Sequence, residues 1–242
     1  MSVFSDAIRK SHHSFCSVVV VAAGNSQRMG EDKLFMPLRG KPVLAWTLEA
    51  LNGCAAVDEI ILVTRPDCLY AASVLKNDYS LVKLNKVVLG GDTSTQSALA
   101  GVCEASPKAK IICIHDGARP FVSRDVIEDA VHQAVLYHAA APAIGVKDTL
   151  KYAADHMVTG TPDRETLFAV QTPQAFQADI IKAALTKAVQ EGESYTDDCA
   201  AVEALGVKVR LSLGREENIK LTTPSDLVLA EAIIARHGGR VV

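Results

Sequence analysis

The 242-residue sequence predicts an α/β domain, a largely parallel sheet covered by helices on both faces. Three observations carry that prediction. Residues 18–21 read Val-Val-Val-Val, the continuous β-branched run of a strand buried on both faces. Similar runs alternate with stretches of helical periodicity along most of the chain. Hydrophobic residues make up 49% of the chain but aromatics only 5%, so the core is built mainly from aliphatics, as helix-on-sheet packing uses. The length fits one domain, with or without a small appendage.

Composition also excludes. A net charge of −3 argues against a general nucleic-acid binder, although it leaves a local basic cleft open. Cysteines 16, 54, 68, 103, 113 and 199 form no C-x-x-C pair and no zinc spacing, so buried free thiols in a reducing cytoplasm are expected. Residues 1–15 lack the apolar core of a secretory signal and read as a tail, with His12-His13 a solvated pair. No segment reaches the apolar length of a membrane span, so a membrane partner is not expected.

The first strand stops at Ala22, Ala23 and Gly24, where small side chains let a ligand approach the backbone. Arg28 and Lys33 follow, and exposed amides beside two cations form a candidate polyphosphate site. An ordinary turn with two solvated cations is the alternative. Neither G-x-G-x-x-G nor G-x-x-x-x-G-K-[ST] is present, so this is neither a dinucleotide fingerprint nor a P-loop.

Pro37 and Pro42 suggest an extended piece turning at Arg39-Gly40. Pro42 suits the first position of a helix with Val43, Leu44, Leu48 and Leu51 on its apolar face, ended by Gly53. Glu59–Thr64 is the second buried strand, Pro66 opens a weaker helix to about Leu75, and residues 86–89 form a third strand. That strand ends at Gly90-Gly91, and Ser94, Thr95, Gln96 and Ser97 lead into an Ala-rich helix to about Ala105. Ser97 is placed to bond either a ligand at the sheet edge or the helix's own amides.

Residues 110–114 form the fourth strand and run into His115-Asp-Gly-Ala-Arg-Pro120. A carboxylate just past a buried strand, then a glycine turn and an arginine, suits Mg2+ and phosphate. Mg2+ takes hard oxygen ligands and shares one or two carboxylates with substrate phosphates. Asp116 is the candidate metal ligand and Arg119 the candidate anion contact, against the alternative of an Asp–Arg turn capping loop amides. His115 is expected to be structural.

Ser123 is the expected cap of a helix with Val126, Ile127, Ala130, Val131, Ala134 and Val135 on its apolar face. Ala139–Gly145 is strand-like. From about 146 to 167 the pattern breaks into short, polar, turn-rich pieces, read as a projecting hairpin or arm. Thr149 and Arg164 are its candidate anion contacts, or solvated surface. Residues 167–171 return to a buried strand, residues 175–191 have helical periodicity, and Thr196 is the expected cap of a helix stopped by Gly206. Residues 207–213 alternate apolar and polar, as a half-buried edge strand does. Thr223-Pro-Ser-Asp226 combines a cap, a first-turn proline and an acid three residues on, a strong helix start.

Lys220 lies just before that last helix and is a third cation for the same rim. Ligands in such sheets bind at the carboxyl ends of strands. Three cations and one carboxylate there suit a nucleoside triphosphate with Mg2+. No G-x-S-x-G elbow and no metal-ligating histidine cluster supports hydrolysis.

Beyond the first fifteen or so residues, the chain resembles the 2-C-methyl-D-erythritol 4-phosphate cytidylyltransferase family. The resemblance rests on Ala22-Ala-Gly-Asn-Ser-Gln-Arg-Met-Gly30, Gly40-Lys-Pro-Val-Leu44, Gly90-Gly91, His115-Asp-Gly-Ala-Arg-Pro120, Asp148-Thr-Leu-Lys151, Thr172-Pro-Gln-Ala-Phe176, Thr196-Asp-Asp198 and Asn218-Ile-Lys220. It implies one Rossmann-like nucleotidyltransferase domain over residues 16–242, a dimerisation arm at about 146–167, and a cytoplasmic homodimer that exchanges arms. It implies transfer of CMP from CTP to a polyol phosphate with a divalent cation, Mg2+. The carried-over roles place Arg28, Lys33 and Lys220 on the CTP phosphates, and Ala22, Ala23, Gly24, Gly91 and Ser97 around the nucleotide. Asp116 would hold the metal. Arg119, Thr149, Arg164, Thr172 and Thr196 would surround the second substrate's phosphate, Thr149 and Arg164 from the neighbouring subunit. The Arg28–Lys33 loop is shorter than the commonest family spacing, and Ser94 stands where the family often has arginine. Ribitol 5-phosphate cytidylyltransferases share nearly all these motifs, and a non-catalytic nucleotide-binding module is the reading from another class.

Overall fold

The computed structural model describes residues 14–24 and 33–238; the N-terminal tail through His12-His13 and the chain's last four residues lie outside that range. The central strand is β1 (Cys16–Ala22), whose side chains divide between two cores. Val18 and Val20 face one, and Val19 faces the other. β4 (Glu59–Thr64) repeats this with Ile60 and Leu62 against Ile61 and Val63, and β6 (Ile111–Asp116) with Cys113 against Ile112 and Ile114. That is why these stretches read as unbroken apolar runs.

The eight-stranded sheet has the order β10-β7-β11-β6-β1-β4-β5, with β12 also paired to β7. Here β5 is Leu84–Leu89, β7 Ala139–Gly145, β10 Phe168–Val170, β11 Gln174–Gln177 and β12 Arg210–Leu213. β5, β4, β1 and β6 are mutually parallel, whereas β11 runs antiparallel between β6 and β7. One face is covered by α1 (Val43–Asn52), α2 (Leu69–Asp78) and α4 (Arg124–Tyr137), the other by α3 (Ser94–Cys103), α5 (Ala178–Glu191) and α6 (Asp198–Glu203). The last helix, α7 (Pro224–Arg236), packs on a third cluster with Leu38, Trp46, Phe121 and Leu221. The expected sheet, mostly parallel and covered on both faces, is therefore present. No helix among the described residues is long and apolar enough to cross a membrane.

The tiny hairpin of β2 (Pro37–Leu38) and β3 (Lys41–Pro42) turns at Arg39 and Gly40, both at positive φ, and leads into α1. The expected hairpin over 146–167 is β8 (Tyr152–Ala154) paired with β9 (Met157–Gly160), which form a sheet of their own. Its turn residues, Asp155 and His156, both adopt positive φ, as a two-residue hairpin turn requires.

Several sequence expectations are corrected. The helix expected over 175–191 begins only at Ala178, because Gln174–Gln177 is β11. Ala175 and Phe176 are adjacent and buried in opposite cores, which is strand geometry; a short apolar run does not separate the two periods. The strand expected to be buried at 167–171 is the edge strand β10, with Phe168 48% and Val170 39% exposed. The cap of α6 is Asp197, whose Oδ1 accepts the Ala200 amide at 2.9 Å, and not Thr196. Ser123 stands at the expected N-cap position of α4 but donates to the Asp125 carboxylate instead of accepting a backbone amide. In β12 the phase is opposite to expectation. Leu211 and Leu213 are exposed and Ser212 lies on the more covered side, because a one-residue change of phase swaps the faces of a strand. Cys103 is exposed at the end of α3, whereas the other five cysteines are buried free thiols.

Gly101 is where α3 lies down on the sheet. A Cβ there would stand 2.7 Å from Val63 Cγ2 and nearer still to Val19 Cγ1. Gly101→Ala gains about 1 kcal/mol of helix propensity. Overpacking against two β-branched strand residues costs about 1–3 kcal/mol, and neither neighbour has room to retreat. A net loss of up to about 2 kcal/mol in chemical denaturation is expected; a more stable variant would contradict this packing.

Candidate active site

The carboxyl ends of β1 and β6 and the turn after β5 open onto one cleft of about 260 Å3. Ala22, Ala23, Gly24, Lys33, Gly91, Ser97, Asp116 and Lys220, all eight expected at the site from the sequence, are among the residues that line it, and Asp92, Thr93 and Ser94 also contribute. The cleft exists because glycines let its walls approach. A Cβ on Gly90 would lie 2.6 Å from both Ala23 Cβ and Ser97 Oγ. Ser97 is buried, and its hydroxyl accepts the Gly91 amide at 3.2 Å. It therefore shapes the turn at the cleft wall. The cap of α3 is Thr93, in a capping box with Gln96, a T-x-x-Q signature that the sequence already displays.

Asp116 ends β6 with its carboxylate gripped from two sides. Lys220 Nζ donates to Oδ1 at 2.9 Å and Arg119 Nε donates to Oδ2 at 3.0 Å. Burial alone would raise the Asp116 pKa, but the charges and hydrogen bonds of Lys220 and Arg119 outweigh it and hold the carboxyl below its usual range. Lys220 is carried here by the turn before α7, which the Leu221 amide ties to the Ala118 carbonyl at 2.9 Å.

Behind this charge cluster lies a closed ring of hydrogen bonds. Arg119 Nη1 donates to the Asn218 carbonyl at 2.7 Å. Asn218 Nδ2 donates to the Thr172 carbonyl at 2.9 Å. Thr172 Oγ1 meets His115 Nδ1 at 2.9 Å, and His115 Nε2 meets the Arg119 carbonyl at 3.3 Å. Thr172 Oγ1 also accepts the Asp116 amide at 3.0 Å. His115 is fully buried, and that burial pushes its pKa down to about 4, so it is neutral near pH 7. The structural role expected for it is what the structure gives.

Other expected site residues are elsewhere. Thr196 is exposed just before α6. Thr149 and Arg164 are exposed around the hairpin and do not line the cleft of their own chain; Arg164 donates to the Lys147 carbonyl at 3.2 Å. Arg28 lies outside the described residues. Among the described residues no group of three or more His, Cys, Asp or Glu could hold a metal ion.

The chain's relatives show its family. The family model described as IspD: 2-C-methyl-D-erythritol 4-phosphate cytidylyltransferase matches residues 16–236. The chain belongs to that family. It is 41% identical over 224 residues to the 2-C-methyl-D-erythritol 4-phosphate cytidylyltransferase of Caldanaerobacter subterraneus subsp. tengcongensis, covering 91% of this chain and 99% of that protein. It is 42% identical to the enzyme of that name from Desulforamulus reducens, covering 90% of this chain and 95% of the other. Among solved structures, 4-diphosphocytidyl-2C-methyl-D-erythritol synthase from Anaerococcus prevotii superposes with a TM-score of 0.83 at 30% identity, covering 93% of this chain and 100% of that one. The 2-C-methyl-D-erythritol 4-phosphate cytidylyltransferase of Thermus thermophilus gives a TM-score of 0.74 at 32% identity, covering 90% and 98%.

In this cytidylyltransferase fold, sequence reasoning passed over Asn218 and Asp198 as individual residues. Both sit in the quoted motifs, but nothing in a linear pattern shows that Asn218 is fully buried or that Asp198 faces the charge of Asp116. Burial, then the negative charges of Asp197 and Asp116, push Asp198 up to about 7. An ordinary aspartate in the unfolded chain titrates near about 3.9. The folded chain therefore holds the extra proton between about pH 4 and 7, and stability falls as pH rises through that window. Asp198→Asn removes the effect. Its stability advantage over the parent, measured by urea denaturation, should grow from about pH 5 to about pH 8; a constant difference would contradict the raised value.

Proposed function

We propose that this chain transfers the cytidylyl group of CTP to the phosphate of 2-C-methyl-D-erythritol 4-phosphate, releasing pyrophosphate, in isoprenoid precursor synthesis. The observation that carries the reading is the cleft in which Asp116, Lys33 and Lys220 meet the small-residue loop at the end of β1, in a chain of this family.

A phosphate oxygen of the polyol phosphate attacks the α-phosphorus of CTP in line. The new P–O bond forms as the bond to the β-phosphate bridging oxygen breaks, and pyrophosphate leaves with that electron pair. No covalent enzyme intermediate is needed, so the chain's work is positioning and charge stabilisation. Lys33 and Arg28 hold the triphosphate, and Lys220 lies beside the reacting phosphorus. Ala22, Ala23 and Gly24, with Gly91 and Ser97, shape the nucleotide's place. Arg119, Thr172 and Thr196 serve the second phosphate. Both oxygens of Asp116 are already engaged by cations. This donor set fits a cation held chiefly by the triphosphate, with Asp116 as one carboxylate ligand after Lys220 turns to phosphate. When bound, Mg2+ would supply neutralisation of the triphosphate charge.

We also propose a single catalytic domain over residues 16–242, acting in the cytoplasm as a homodimer in which each arm completes the neighbouring site. The exposed Thr149 and Arg164 support this, as do the exposed apolar side chains Leu150, Tyr152, Met157, Val158, Phe168 and Val170 on and beside the hairpin.

The test is pyrophosphate release from CTP with 2-C-methyl-D-erythritol 4-phosphate, run beside ribitol 5-phosphate, with and without a chelator. Chelator-sensitive release with the first substrate is expected. Release with ribitol 5-phosphate alone, or with neither, would overturn the reading. Lys220→Ala should lower kcat on the order of 10²-fold, the scale for losing one charge stabiliser. Near-normal turnover would remove Lys220 from the reaction.

A further inference from the structure

His115 takes no part in the chemistry just described, yet it is fully buried and touches two residues of the site. The Arg119 carbonyl is an acceptor only, so the ring nitrogen facing it, Nε2, must carry the proton. In a neutral imidazole the other nitrogen, Nδ1, is then an acceptor, and the Thr172 hydroxyl must donate to it. Thr172 Oγ1 is left to accept the Asp116 amide, as it does at 3.0 Å. Every donor and acceptor of these three groups is assigned by this one tautomer.

The ring closes through Arg119 and Asn218, so three separate chain segments are tied together: 115–119, 171–172 and the turn at 218. We infer that His115 is a positioning residue for the reaction: its Nε2–H donates to the Arg119 carbonyl while its Nδ1 meets the Thr172 hydroxyl, which closes this ring and so fixes Arg119 and Thr172 beside Asp116. Among the described residues it is the side chain that bonds Thr172 and the Arg119 backbone at the same time. The side-chain bonds of Arg119 reach Asp116 and Asn218 and its amide donates to the Asp116 carbonyl at 3.1 Å, whereas its carbonyl is held by His115. This inference rests on the proposed cytidylyl transfer only for its kinetic consequence, and the tautomer is read independently of any activity.

Two measurements test it. In histidine-labelled enzyme, the ring signal that His115→Phe removes should carry a proton on Nε2 that exchanges slowly with water. A His115 ring whose Nε2 carries no proton would overturn the inference whatever the enzyme's activity. In kinetics, His115→Phe should bind CTP alone within about threefold of the parent while kcat falls and KM for the polyol phosphate rises. The combined loss in kcat/KM should be on the order of 10²-fold, the scale of a misplaced contact group. His115→Asn, which keeps an acceptor near the Nδ1 position, should recover part of it. Parent-like kcat and KM in a folded His115→Phe would overturn the inference, as would an equal loss of CTP binding.

Discussion

Taking a carboxylate out of water at the end of an apolar strand costs several kcal/mol unless opposite charge and hydrogen bonds replace the solvent. Asp116 stands at that place, at the end of Ile111–Asp116, whose other residues are fully covered. Lys220 and Arg119 meet this requirement from different directions, one from a turn 104 residues further on and one from the adjacent loop. Much of the surrounding structure serves to bring them there. The third hydrophobic cluster holds α7 and Leu221 against Trp46 and Phe121, and so delivers the turn that bears Lys220. The Asn218 side chain secures the same turn to Thr172. A charge pair at the surface contributes little, but one of Asp116's partners, Arg119, has a side chain only 12% exposed. Its geometry is therefore held by packing as well as by charge.

The same arrangement explains how the cleft can be both rigid and receptive. Its walls are backbone and small side chains from the ends of β1, β5 and β6, set close by Gly90 and Gly117. A Cβ on Gly117 would press on Leu44, Ala22 and the Val21 carbonyl, so the β6 turn lies directly on α1 and β1. In the proposed reaction, ligand phosphates would compete with Asp116 for Lys220 and Arg119. The cations are already in place and need only exchange one oxyanion for another, which keeps reorganisation small.

Most of the architecture was legible because parallel strands buried on both faces leave an unmistakable apolar run. Glu59–Thr64 and Ala139–Gly145 read correctly to the residue. What misled was local ambiguity. Residues 174–177 satisfy a helical pattern and a strand pattern alike, and only the slot between β6 and β7 selects the strand. Asp197 outcompetes Thr196 as a cap because its second oxygen also accepts Gln174 Nε2 at 2.8 Å, a contact between distant segments. Ala22–Gly24 and Asp116, which line the cleft, are legible as candidates from their place after a strand, whereas Gly91 enters through the family resemblance. Asn218 and the ring through His115 depend on three segments meeting, which no linear spacing records. The family resemblance supplied roles for Thr149 and Arg164 that a single chain's cleft does not gather.

Asp116 and Lys220 are joined in one ion pair, and the proposed reaction has them act as one unit. A double-mutant cycle on kcat/KM for pyrophosphate release tests it most directly, using Asp116→Asn, Lys220→Gln and the two together. Residues that work as a unit are strongly non-additive. The double variant should therefore lose about as much as the worse single variant. If the two losses instead multiply, agreeing with independence to within about 0.5 kcal/mol, Asp116 and Lys220 act separately, which contradicts their joint role.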